Sequence, residues 1–218
     1  MQVILINSQK GGTGKTMLAK HLSVEAERAG DGPVFLIDTD PQGSLTAWHN
    51  KRESDRPQRV ELPFEGLERG LELLRLHGAA FCFIDSASGR LEVARELFKF
   101  ADLVLFPVQA SEDDLTAAPA TVQALRKGGV PFIFVLTRVK ANTIITAQAA
   151  AILSKHGEVA GTFIGDRTGY KSPYPKGQTI TEAQPNGTAA QEISALWKSI
   201  KSCLHETVQA CREVEAHG

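Results

Sequence analysis

An apolar run, Val3–Ile6, leads through three polar residues into Lys10-Gly11-Gly12-Thr13-Gly14-Lys15-Thr16, and a helix-like pattern, Met17–Arg28, follows at once. Strand, glycine loop and helix in that order force a sharp backbone turn between sheet and helix. Glycines let successive amide N–H groups turn inward as a nest for an anion. The helix N-terminus adds the positive end of its dipole. Gly11, Gly12, Thr13 and Gly14 are therefore expected to cradle phosphates, with Met17 counted among the nucleotide-binding residues. Lys15 is placed to reach the β- and γ-phosphates and Thr16 to ligate Mg²⁺. The bland alternative is a glycine-rich turn with incidental lysines. At ordinary residue frequencies so many fixed positions coincide in roughly one chain in ten thousand or fewer.

Short apolar runs recur down the chain at Val34–Ile37, Ala79–Ile84, Leu103–Val108, Phe132–Leu136 and Val159–Ile164. Between most of them lie helical patterns, Leu67–Leu76, Leu91–Phe100, Leu115–Arg126 and Ile144–Leu153, and a long one closes the chain over Ala189–Val214. Continuous apolar strands alternating with helices predict an α/β fold: a mainly parallel twisted sheet flanked by helices, of P-loop NTPase-like class. The polar stretches Asn50–Gln58 and Asp166–Gln184 read as loops. At 218 residues the chain reads as a single ATPase domain over 1–218.

Composition excludes several classes. A net charge of −1 points to neither a nucleic-acid binder nor a membrane binder as a whole. Three cysteines, Cys82, Cys203 and Cys211, form no disulfide framework and show no metal-ligand spacing, which suits a reducing, cytoplasmic setting. No run approaches the roughly 18 apolar residues that span a bilayer. The apolar start carries no basic lead segment, so no signal peptide is expected.

The glycine loop departs from the ordinary P-loop: Gln9 stands where its first glycine belongs, and Lys10 opens the motif. In this it resembles the deviant Walker A box, Lys-Gly-Gly-x-Gly-Lys-Thr, of the ParA/MinD family. The resemblance implies an ATPase that takes ATP and Mg²⁺, with Lys10 reaching across a homodimer interface to the partner's ATP. The second run ends in Asp38-Thr39-Asp40-Pro41-Gln42-Gly43, similar to the family's switch I segment. That likeness makes Asp40 the residue that orients the attacking water, so Lys10 and Asp40 are the catalytic pair. Asp38 would support the Mg²⁺ shell or the loop. Asp85, closing the run Phe81–Ile84, has the Walker B shape and would hold Mg²⁺ with Thr16 and Asp38. The family usually follows this acid with prolines; Ser86-Ala87-Ser88-Gly89 replaces them. Thr137 and Arg138 fall where the family contacts adenine, and Ile164–Ile180 resembles a loop that packs near the same ring. There Gly165 takes the place of the usual proline.

The resemblance covers nearly the whole chain, and its specificity rests on the first 45 residues. Because the first strand starts at Val3, no N-terminal helix-turn-helix is expected, which is the small ParA form. Such proteins work with a centromere- or cargo-binding adaptor. Residues 126–201 carry ten basic and four acidic side chains, a net of +6. This predicts a phosphate-binding face for non-specific duplex DNA, with Lys171, Lys176, Lys198 and Lys201 as its contacts and the nucleoid as its location. A set of unrelated solvated lysines is the plain alternative. The stripe Ile193, Leu196, Trp197, Ile200 and Leu204 reads as a sheet-packing face and not as a membrane helix, because the tail Glu206–Gly218 is acidic. Two function classes stay open: a DNA-associated positioning ATPase that dimerises on ATP, and an ATP-dependent enzyme or assembly factor on the same fold that does not bind DNA.

Overall fold

The strand that leads into the glycine loop, β1 (Gln2–Ile6), is the middle of a seven-stranded sheet. The computed structural model describes residues 1–89, 91–140, 143–172 and 174–216, and the side chains of the last helix as far as Glu206. Pro173, Cys211 and the side chains of the tail 207–218 lie outside what is described.

The chain runs β1, α1 (Lys15–Arg28), β2 (Val34–Asp38), α2 (Ser44–His49), β3 (Gln58–Arg59), α3 (Leu67–Leu76), β4 (Phe81–Asp85), α4 (Leu91–Phe98) and β5 (Leu103–Gln109). It continues with α5 (Glu112–Lys127), β6 (Phe132–Thr137), α6 (Ile144–Leu153), β7 (Glu158–Val159), α7 (Ile180–Ala183) and α8 (Thr188–Ala216). The sheet order is β3-β2-β4-β1-β5-β6-β7, and each described strand pair is parallel. Every strand end that bears a site residue therefore points the same way.

Both faces of the sheet are covered, which is why its strands read as unbroken apolar runs. Along β1, Ile4 and Ile6 pack with α1 and α8, while Val3 and Leu5 face α3 and α4. The α8 stripe is buried as expected: Ile193, Leu196, Trp197, Ile200 and Leu204 all join the first of these cores. Trp197 meets Phe81 edge-on at 4.9 Å between ring centres and donates its indole N–H to Asp31 at 2.8 Å. Burial of that size makes truncation to alanine cost about 3–5 kcal/mol. No described helix is long and apolar enough to cross a membrane.

Four segments differ from the sequence reading. The predicted run Val159–Ile164 is regular strand only over Glu158–Val159; beyond it Ala160 and Ile164 still donate to the Phe134 and Leu136 carbonyls of β6 at 2.8 and 2.9 Å, and their side chains fill the α1–α8 core. Residues 44–49 form α2, a six-residue helix too short to show a period. Gln58, placed in a loop, opens β3. The supposed loop Asp166–Gln184 contains two 3₁₀ turns, Thr168–Tyr170 and Pro175–Gly177, and then α7. Arg52 ties the two polar stretches together. Its guanidinium, 2% exposed, bonds both carboxylate oxygens of Glu182 at 2.9 and 3.1 Å and the Gly177 carbonyl at 2.9 Å.

Candidate functional site

At the carboxyl end of β1 the loop 10–14 wraps into α1, whose N-cap Gly14 has φ 105°. Gly12 also sits in the left-handed region, at φ 78°, with open space where a side chain would project. Within the chain, backbone conformation and not crowding is what demands glycine there. The loop is braced from outside. The Thr137 hydroxyl donates to the Thr13 carbonyl at 2.7 Å, Gln109 Nε2 donates to the Gly12 carbonyl at 3.0 Å, and Ser8 and Thr13 hydroxyls meet at 2.6 Å.

Lys15 folds back into this loop. Its ammonium donates to Ser88 Oγ at 2.6 Å and to the Lys10 carbonyl at 3.3 Å. Burial lowers its pKa, while the carboxylates of Asp85 and Asp40 work in the opposite direction. Ser88 was not singled out by sequence; it holds the ammonium from the segment that replaces the family's prolines. That segment is fixed by hydrogen bonds instead, since Ser86 Oγ donates to the Ile6 carbonyl at 2.9 Å and accepts from Asn7 at 2.7 Å.

Asp85 is 1% exposed, and neither carboxylate oxygen has a hydrogen-bond partner. Burial pushes its pKa up to about 7, and the nearby charges of Asp38 and Asp40 add to this. The Thr16 hydroxyl approaches and pulls the other way without completing a hydrogen bond, and the Lys15 charge also lowers it. An orphaned buried carboxylate beside a threonine hydroxyl suits a hard divalent cation. Asp85 and Thr16 thus fit Mg²⁺. Asp38 does not offer itself in the same way. Its Oδ2 accepts from the Thr46 amide at 2.8 Å and hydroxyl at 2.9 Å, and its Oδ1 accepts from the Asp40 amide at 3.1 Å. Of the two roles expected for Asp38, the structure favours the loop over the metal: it fastens switch I to α2. Asp40 stands half-buried, its Oδ1 accepting from the Gln42 amide at 3.0 Å.

Lys10 is joined to its own chain, at 3.0 Å from Asp113 and 3.3 Å from Asp114 in the first turn of α5. Hydrogen bonding to Asp113 raises its pKa. Neither partner was anticipated, although three acids in one helical turn, Glu112-Asp113-Asp114, are visible in the sequence.

The two residues expected at adenine are placed differently. Thr137 is buried, does not line the cleft beside Met17, and braces the glycine loop through the Thr13 carbonyl. Arg138, with φ 51°, does reach a cleft of about 70 Å³ beside Gly14 and Met17, closed by Gly165, Arg167 and Tyr170. The glycine at position 165 has a local reason. Its amide donates to Glu192 at 3.1 Å, which proline cannot do, and an added Cβ would lie 3.0 Å from Arg167.

The four lysines proposed for DNA are spread along the molecule and mostly paired within the chain. Lys171 borders the cleft at Gly14, where α1 begins, whereas Lys201 bonds Asp31 at 2.8 Å, just past the end of α1. The 14-residue α1 separates these points by ~20 Å. Lys171 is paired with Asp166 at 2.6 Å and Lys176 with Glu53 at 2.7 Å, so in-chain carboxylates answer three of the four charges. Lys198 is exposed on α8.

Comparison with known proteins agrees with this geometry. The profile of the CobQ/CobB/MinD/ParA nucleotide-binding domain matches residues 4–180. Protein ParA of Rhizobium radiobacter is 25% identical over 225 aligned positions, covering 94% of this chain and all of that protein. Maintenance of carboxysome distribution protein A of Halothiobacillus neapolitanus is 23% identical, covering 90% of this chain and 95% of its own length. Among solved structures, an ATP complex of Cyanothece McdA superposes with a TM-score of 0.70 at 20% identity, covering 94% of this chain and 96% of that one. With a braced glycine loop, an orphaned Walker B acid and a profile match across most of its length, the chain belongs to the CobQ/CobB/MinD/ParA nucleotide-binding family.

Proposed function

We propose that the chain is an ATP-dependent switch of the partition or positioning kind: it dimerises on ATP, holds non-specific duplex DNA in that state, and lets go after hydrolysis. The observation that carries this reading is the position of Lys10. It lies on the phosphate loop, with a half-exposed ammonium held by the carboxylates of Asp113 and Asp114 at the loop's rim. A lysine bound for its own γ-phosphate would point inward, as Lys15 does. An outward lysine on the same loop is suited to a second subunit's nucleotide, so that full charge stabilisation exists only in the dimer. The names of the relatives, a ParA and a carboxysome distribution protein, support cargo positioning.

Within one subunit, Lys15 and the loop amides would hold the phosphates, and Met17 and Arg138 would border the base. Asp85 and Thr16 would hold Mg²⁺, which when bound neutralises charge on the β- and γ-phosphates. Asp40 would orient water at the γ-phosphate, its backbone set by Asp38. An adaptor that recognises the cargo would raise a slow basal turnover.

Light scattering with ATP, ADP and no nucleotide tests the switch, and DNA co-sedimentation in the same three states tests its output. Dimer and DNA retention with ATP alone are expected. Equal DNA retention with ADP would remove the coupling, and a dimer with ATP that ignores DNA would favour an assembly factor on the same fold.

A further inference from the structure

A second basic pocket lies on the other side of Tyr170 from the Arg138 cleft. It has about 410 Å³ of room between α1, α2 and the 169–179 segment. Lys20, Lys51 and Lys171 line it, and among the described residues no carboxylate does. Lys171 already pairs with Asp166. Among the described residues, no ion pair answers Lys20 or Lys51.

Lys20 follows Thr16 by one helical turn, so its stem starts beneath the metal site and its head emerges in this pocket. The ammonium stands 5.8 Å from the centre of the Trp48 ring, and Arg52 stands 5.0 Å from the same ring. Trp48 is thus engaged by cations and is not a free surface for stacking a base. Burial lowers the Lys20 pKa, and the neighbouring Lys51 charge lowers it further, while Asp85 and Asp38 act against this. Two ammonium groups that make no ion pair among the described residues stand in a concave site with hydroxyls of Ser44, Tyr174 and Thr179 at its walls, and the nearest carboxylate charges, Asp85 and Asp38, are not among its lining residues. Lys20 is half-buried and Lys51 exposed, and a concave wall whose charged lining is all positive favours an anion.

We infer that the pocket between α1, α2 and the 169–179 segment is a phosphate-binding site separate from the glycine loop, with Lys20 and Lys51 as its charged contacts. Its ligand is a phosphate group, carried either by a nucleic-acid backbone or by a small phosphorylated molecule. A planar carboxylate has less claim, because the lysines act as separate point charges and no arginine fork faces the cavity. The inference does not depend on the ATP switch.

Fluorescence can test it. Trp197 is buried in the core at 1% exposure, whereas Trp48 lies on the pocket wall, so Trp48 reports on occupancy. The full chain, with ADP saturating the glycine loop, is titrated with inorganic phosphate and, in a second arm, with a short mixed-sequence duplex. Phosphate is expected to change Trp48 emission, and Lys20→Gln with Lys51→Gln to weaken that response by about tenfold or more. Lys51→Glu alone, at an exposed position, keeps the test valid if the double variant folds poorly, and is expected to weaken it as well. Competition by the duplex assigns the site to a nucleic-acid backbone; phosphate binding that the duplex leaves unchanged assigns it to a small phosphorylated ligand. No response in the unaltered protein, or an equal response in the variants, would overturn the site. ADP affinity measured on the same samples judges the glycine loop independently.

Discussion

Lys10 Nζ lies 3.0 Å from a carboxylate oxygen of Asp113 in the same chain. The lysine assigned to a partner's nucleotide is thus already neutralised at home, and reaching across an interface requires leaving Asp113 and Asp114. The two acids are unequal. The Asp113 side chain is 82% exposed, while that of Asp114 is 7% exposed and also accepts the Gln109 amide at 2.9 Å.

Releasing that contact should favour the dimer. Asp113→Ala is expected to raise the ATP-bound dimer fraction a few-fold at a fixed concentration, without loss of stability. Lys10→Ala should bind ATP normally but neither dimerise nor turn over. Asp114→Ala should also cost about 1–3 kcal/mol of folding stability, because a buried amide loses its acceptor. Sedimentation velocity with ATP and chemical denaturation separate the three. A normal dimer from Lys10→Ala would remove the lysine from the interface.

The buried Asp85 makes stability and metal binding depend on pH in a defined direction. Its folded pKa of about 7 lies above the ordinary carboxylate value of 3.8, so the folded protein keeps the proton longer than the unfolded chain does. Stability without metal is therefore lost as pH rises from about 4 to about 7, by on the order of 4 kcal/mol from this group. Asp85→Asn should raise the metal-free Tm above pH 7 and abolish its Mg²⁺ dependence, along with hydrolysis. Mg²⁺ affinity of the unaltered protein should climb through pH 7. Calorimetric scans at pH 5, 7 and 8.5, with and without Mg²⁺, check both. A Tm that falls for Asp85→Asn at high pH would contradict the burial argument.

The Thr137 brace on Thr13 should matter for nucleotide affinity. Thr137→Val keeps the shape and removes the hydroxyl, leaving the Thr13 carbonyl without its buried donor. ATP affinity should drop about tenfold, with a stability loss of ~1–3 kcal/mol. Thr137→Ser should restore affinity. Titration calorimetry with a slowly hydrolysed ATP analogue measures this, and an affinity equal to that of the unaltered protein would deny the brace.

Gly12 and Asp40 should part binding from turnover. Gly12→Val forces a branched side chain into φ 78° and sends it away from the chain, into the space a second subunit would use. It is expected to hold ATP as a monomer. Asp40→Ala should accumulate as an ATP-bound dimer with hydrolysis reduced at least about 100-fold, the scale of losing a positioned catalytic group. Gel filtration with ATP and Mg²⁺ gives the answer; a monomeric Asp40→Ala would make that residue structural.

How much of this could be read beforehand varies residue by residue. The motif Lys10–Thr16 is legible because a phosphate loop is local: its donors are consecutive amides, and glycine is dictated by φ at single positions. Asp85 is legible for a similar reason, since an acid after an unbroken apolar run marks the end of a central strand. The parallel sheet follows from the same runs, because strands buried on both faces lose the alternation of a half-exposed strand. Ser88 and Gln109 are not legible, because their value lies in contacts with residues 73 and 97 positions away. Nor is the identity of the Lys10 partners, which depends on how β5 delivers α5 to the rim of the loop. The placement of the four lysines chosen for DNA was not legible either: the polar loop and the last helix, expected to present them together, bring Lys171 and Lys201 to opposite ends of α1. The sequence by itself determined the α/β class and the glycine loop between β1 and α1 with acids at strand ends, because those are consequences of short-range backbone geometry and periodicity. Only the tertiary structure decided that Thr137 hydrogen-bonds the Thr13 carbonyl, that Asp38 accepts from Thr46 and Asp40, and that Lys20 and Lys51 line one pocket. Each of those depends on which side chains the packing of separate elements brings within a few ångströms.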